Sequence, residues 1–105
     1  MSTTTKTLSK GTIYQALTAP EDGYLLVELN GSNLTGKVDI HFQQSVSGDN
    51  WDTIEDLNDK DIVVRLDGAK NASITKVKLF ESFRAGHLRA KIISESTGSL
   101  QFVLP

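Results

Sequence analysis

The seven residues GSNLTGK, from Gly31 to Lys37, place two glycines and a lysine at the spacing of a phosphate-binding loop. Such a loop cradles phosphates with backbone N–H groups and needs a Ser or Thr after the lysine to hold magnesium, then a helix. Here Val38 follows Lys37 and opens an alternating run, so the stretch reads as a glycine-rich β-turn. The acids Asp49, Asp52, Glu55, Asp56, Asp59 and Asp61 invite a calcium reading. DLNDKD, however, has Lys60 at a ligand position and Asp61 where the sharp turn of a calcium loop needs glycine, so solvated loop acids are expected. His41 and His87 fall on strand faces opposite the apolar stripe, with no third ligand and no nucleophile nearby in the pattern. GxSxG, HExxH and CxxC are all absent. The expectation is therefore a non-enzyme with no catalytic residue, no cofactor and no metal. Trp51 has two readings. Just after a turn it is expected to pack across the core as an anchor; exposed, it forms with Asp49 and Asn50 a platform for a sugar ring or a partner protein.

Strands must position these groups. Val38, Ile40 and Phe42 alternate with Asp39, His41 and Gln43, the period of two of a half-buried strand. Ser47, Gly48, Asp49 and Asn50 then make a turn into a shorter strand that carries Trp51. Before them, Thr12 to Leu17 is a short strand and Ala19 to Gly23 a turn. Tyr24 to Asn30 is a strand apolar on both sides of its first half, which suggests a central position. After an acidic loop from Glu55 to Asp61 come strands at Ile62 to Leu66, Ser73 to Phe80, Arg84 to Ile93 and Ser99 to Leu104, with a single helical turn admitted near Glu81 to Ala85. In the third of these last runs Leu88, Ala90 and Ile92 oppose His87, Arg89 and Lys91; in the second Val77 and Leu79 oppose Lys76 and Lys78. Short strands joined by polar turns imply an all-β fold, an antiparallel, jelly-roll-like β-sandwich of about eight strands. Residues 12–105 make its single domain. Residues 1–11, mostly Thr, Ser and Lys with only Leu8 to bury, are expected to be a flexible N-terminal arm.

A chain of 105 residues fits one domain, and its 38% hydrophobic content, rich in β-branched types, suits a sheet core. With no cysteine there is no disulfide frame. The N-terminal residues lack the apolar core of a signal peptide and no apolar run reaches membrane-spanning length, so no membrane partner and a cytoplasmic setting are expected. The sequons at Asn30, Asn33 and Asn71 then read as turn composition. Charge is uneven along the chain. Glu21 to Asp67 holds eleven acids against Lys37, Lys60 and Arg65, while Gly68 to Pro105 holds six bases against Glu81 and Glu95. Solvated faces explain this; the sharper expectation is a two-ended molecule whose basic part meets an acidic neighbour or another copy. Lys76, Lys78, Arg84, Arg89 and Lys91 suggest a basic strand face, but few aromatics accompany them, so no nucleic-acid partner is expected.

The segment HFQQSVSGDNWDTI, His41 to Ile54, resembles small phage virion β-sandwich proteins. These carry a strand ending in Q-S-x-D-G-x-N-W-x-x-I and later an arginine-bearing strand of the LRAKI type. Gln44, Ser45, Gly48, Asn50, Trp51 and Ile54 match the first motif, and Leu88, Arg89, Ala90 and Ile92 the second. Gly48-Asp49 replaces the usual Asp-Gly order. The resemblance implies a virion structural protein, a capsid decoration or auxiliary protein or a head–tail component, assembled in the host cytoplasm. It would bind capsid or tail proteins through its sandwich surface and N-terminal arm, as a monomer or small homo-oligomer. The same segments are similar to the second half of discoidin-type domains, which are longer and usually disulfide-closed. That likeness implies the alternative of a carbohydrate-binding module with Asp49, Asn50 and Trp51 at its glycan contact.

Overall fold

The computed structural model describes residues 2–17, 24–69, 73–80 and 86–105. Among these residues nine strands follow in order: β1 (Ser2–Thr7), β2 (Ile13–Leu17), β3 (Leu25–Ser32), β4 (Lys37–Ser45), β5 (Asp52–Thr53), β6 (Val63–Asp67), β7 (Ser73–Phe80), β8 (His87–Ile92) and β9 (Ser99–Leu104). One sheet has the order β1-β9-β3-β7 and the other β2-β8-β4, with β5 and β6 both on the far side of β4. All pairings are antiparallel. β5 and β6 lie end to end along β4, interrupted by the acidic loop, and count as one broken strand. Successive strands then switch sheets from β1 to β4 and again from β6 to β9. That is the two-Greek-key order of an eight-stranded jelly roll.

The inner faces hold the apolar halves of the alternating runs. Val27 and Leu29 of β3, Val38, Ile40 and Phe42 of β4, Leu88 and Ile92 of β8, and Leu100 and Phe102 of β9 are all buried. Each such side chain removed from water is worth about 1.5–3 kcal/mol. Aromatic rings join the layers. Tyr14 of β2 stacks on Phe102 of β9 with centroids 4.4 Å apart, and Phe42 of β4 meets Phe80 of β7 at 4.6 Å. β3 is central, as its two-sided apolar start suggests, although Tyr24 and Leu26 on its outer side are exposed.

Residues 2–7 are not an arm. They form the edge strand β1, in register with β9 from Ser2↔Leu104 to Thr7↔Ser99. Threonine is β-branched and suits a strand, and an edge strand needs no apolar alternation because β9 supplies its backbone partners. Leu8 fixes the end of the strand: it is buried and its N–H donates to the Gly98 carbonyl at 2.9 Å. The turn of GSNLTGK joins β3 to β4, with Gly36 at φ 71° and no helix after Lys37. The Ala19 to Gly23 turn and the helical turn near Glu81 to Ala85 lie outside the described residues.

β7 departs from the rule that apolar residues face inward. Phe80 is buried, but Val77 and Leu79 are exposed, while Lys76 and Lys78 stand opposite Leu29 and Val27 on the inner side. Lys76 Nζ crosses to the other sheet and donates to the Arg65 carbonyl of β6 at 2.8 Å. Burial, then the neighbouring Lys78, holds the Lys76 ammonium below its usual 10.5. Lysines turned inward on an edge strand discourage the addition of another strand; Lys6, opposite Leu100 on β1, is placed in the same way.

Candidate functional site

Strand parity decides where Trp51 goes. Gln43 of β4 pairs with Thr53 of β5, and both face outward, because Phe42 and Ile54 are buried. Trp51 is two residues before Thr53 and therefore shares its outer side. It is half-buried and lies outside the core, which corrects the expected core anchor. The inward place goes to Ile54, whose N–H donates to the Phe42 carbonyl at 2.8 Å.

The loop before Trp51 is built by its own side chains. Buried Ser45 accepts the Gly48 N–H at 2.8 Å, and Ser47 Oγ accepts the Asp49 N–H at 3.1 Å. Gly48 has φ 90°, and a Cβ there would sit 3.4 Å from His87 Nε2, so the loop folds back against the start of β8. The Arg89 guanidinium of β8 lies 4.3 Å from the centroid of the Trp51 ring, within cation–π range. Arg89 Nε donates to Gln43 Oε1 at 2.7 Å, and Gln43 Nε2 donates to Thr53 Oγ1 at 3.2 Å. Trp51, Arg89, Gln43 and Thr53 thus form one clamp across β8, β4 and β5. The two sequence motifs are halves of a single structural unit.

Beside the clamp a cleft of about 580 Å³ is lined by Trp51, Gln44 and Thr53 and by acids of β5 and the following loop. Of Asp49, Asn50 and Trp51, only Trp51 lines it; Asp49 and Asn50 are exposed on the loop. Asp56 is committed to loop structure, its Oδ1 accepting the N–H groups of Asn58 at 2.8 Å and Lys60 at 3.1 Å. Among the described residues no three His, Asp or Glu side chains converge as metal ligands would. His41 stands in a rung with Lys91 and Val63, and His87 in a rung with Ser45.

On the same outer face Arg65 grips Asp39 with two bonds, Nε to Oδ1 at 2.5 Å and Nη2 to Oδ2 at 3.1 Å. Chiefly through this bonding the Asp39 carboxyl is held below its usual 3.8. Among the described residues the basic block of the sequence is split between the two sheets; Lys70 and Arg84 lie outside the described residues. Lys76 and Lys78 belong to the inner side of β7, whereas Arg89 and Lys91 lie on the outer side of β8 in the other sheet. Among the described residues that division also separates the members of the expected basic strand face. No family model, no curated protein and no solved structure matches this chain.

Two features escaped the sequence reading. The Gln43–Thr53 relay depends on a register that separated segments do not announce. The outward turn of Val77 and Leu79 had a visible signal, since a strand alternating two lysines with two apolar residues offers both choices. Only its partners decide which side goes in.

Proposed function

We propose that this protein is a non-enzymatic structural component of a bacteriophage virion, a capsid decoration or auxiliary protein that binds the shell through the surface of its sandwich. The observation that carries this reading is the contact of Trp51 with Arg89. The two segments that resemble phage virion proteins are distant in sequence yet meet on paired strands, which favours one shared architecture over two chance likenesses. Jelly rolls recur among viral capsid domains. Residues 2–7, as part of the sheet, contribute an edge rather than a reaching arm. The partners are then capsid or tail proteins, with self-association secondary, and the protein resides in the virion after assembly in the host cytoplasm. Cosedimentation with undecorated phage heads tests this: the protein pellets with heads, and failure to bind any head or tail particle overturns it.

A second reading has its own support. Trp51 lines a polar, acid-rich cleft, an arrangement suited to stacking a sugar ring and bonding its hydroxyls. Under it the protein is a carbohydrate-binding module. Binding on a glycan array with quenching of Trp51 fluorescence favours this reading, and a silent array removes it.

A further inference from the structure

The outer faces of the two sheets differ in charge. Over β4, β6 and β8 the outward side chains include Asp39, Arg65, Arg89 and Lys91, an ordinary solvated surface. On the outer face of β1-β9-β3-β7 the register places Thr, Ser, Gln and Asn toward one end and large apolar groups toward the other. Tyr24, Leu26, Val77 and Leu79 are 48%, 46%, 55% and 54% exposed, and Val103 lies beside them. Among the described residues Glu28 is the single charge on this face, in a rung between Val103 and Val77. A shallow groove of about 280 Å³ runs along Leu26, Glu28, Val77 and Val103. Depletion of charge over exposed apolar groups is the compositional mark of an interface core.

We propose that this face docks a protein surface that is largely apolar and presents one lysine or arginine to Glu28; resting on the virion reading, the inference assigns that surface to the shell. Edge pairing is disfavoured, because Lys6 on β1 and Lys76 and Lys78 on β7 point inward at both edges of the sheet. A second copy fits poorly. Among the described residues two such faces packed together bring no cation of their own, and they would bury two Glu28 carboxylates without a countercharge. Four strands about 4.8 Å apart, with up to eight residues rising about 3.4 Å each, give a footprint of roughly 500 Å². That falls short of the ~800 Å² per partner of a standard interface. A larger lattice can also contact the rim and can supply the cation. Asn30 Nδ2, donating to Glu28 Oε2 at 3.1 Å, holds the carboxylate in place while its other oxygen is available to the partner.

Heads assembled without this chain are mixed with wild type, Leu79→Lys, Val77→Lys, Glu28→Gln, Glu28→Lys and, on the opposite face, Lys91→Glu, and pelleted; a thermal melt of each variant verifies its fold. Leu79→Lys, Val77→Lys and Glu28→Lys are expected to weaken binding about tenfold or more, as loss of ~1.4 kcal/mol would. Glu28→Gln weakens it less and reduces its salt dependence, and Lys91→Glu binds like wild type. If the three lysine variants bind like wild type, or Glu28→Gln binds more tightly, the docking face is overturned while the virion reading stands. If wild type pellets with no heads, the virion reading falls and takes the assigned partner with it.

Discussion

Tyr14 is buried against Phe102, and its hydroxyl is the one buried side-chain polar atom without a hydrogen-bond partner among the described residues. An unpaired buried hydroxyl costs stability that phenylalanine would not. Tyr14→Phe is expected to raise stability by about 1 kcal/mol in urea unfolding; a loss contradicts the account. Gly98 makes the opposite point. At φ 103°, a Cβ there would lie 2.5 Å from the Asn33 carbonyl oxygen, so Gly98→Ala is expected to cost about 2 kcal/mol or more. Gly36 also has positive φ but opens onto empty space, and Gly36→Ala should cost only about 1 kcal/mol. Trp51→Ala removes a surface cation–π contact and should cost about 1 kcal/mol, whereas a core tryptophan would cost about 3–5 kcal/mol. The position of Trp51 was within reach of the sequence. Trp51 and Ile54 are three residues apart, so a straight strand cannot turn both inward, and Ile54, flanked by Thr53 and Glu55, is the better core residue.

Most strands were legible because their apolar residues alternate: Ser73–Phe80 and Ser99–Leu104 have the same bounds in the sequence reading and in the structure. β1 was not legible, because a threonine run carries no burial pattern and its strand character comes from the open side of β9. The Asp39–Arg65 rung ties β4 to β6 and makes a pH-dependent contribution. The folded carboxyl titrates below its ordinary value of 3.8, so its share of stability is complete at neutral pH and is lost as pH falls below that value. Asp39→Asn should therefore lower stability at pH 7 and flatten the acid side of the profile below about pH 4. Urea midpoints measured from pH 2 to 7 check this, and parallel profiles for variant and wild type contradict it. Arg65 is well exposed, so the effect is modest.

Among the described residues the jelly roll has one charged outer face and one nearly charge-free outer face, an asymmetry that the charge blocks of the sequence do not show. Those blocks run along the chain, but the topology alternates between sheets and scatters them over both layers. The faces are set by strand parity and by which sheet each strand joins, and separated segments reveal neither until they pair. The clamp of Trp51 on Arg89 steadies the charged face, and the edges of the other sheet are guarded by inward lysines. The exposed apolar end of the β1-β9-β3-β7 face is the surface that we propose meets a partner. An image reconstruction of phage heads saturated with the wild-type protein tests this most directly. This sheet is expected to face the shell with Glu28 in salt-bridge contact with a lysine or arginine. A reconstruction with the Trp51 cleft against the shell and this sheet turned to solvent would contradict it.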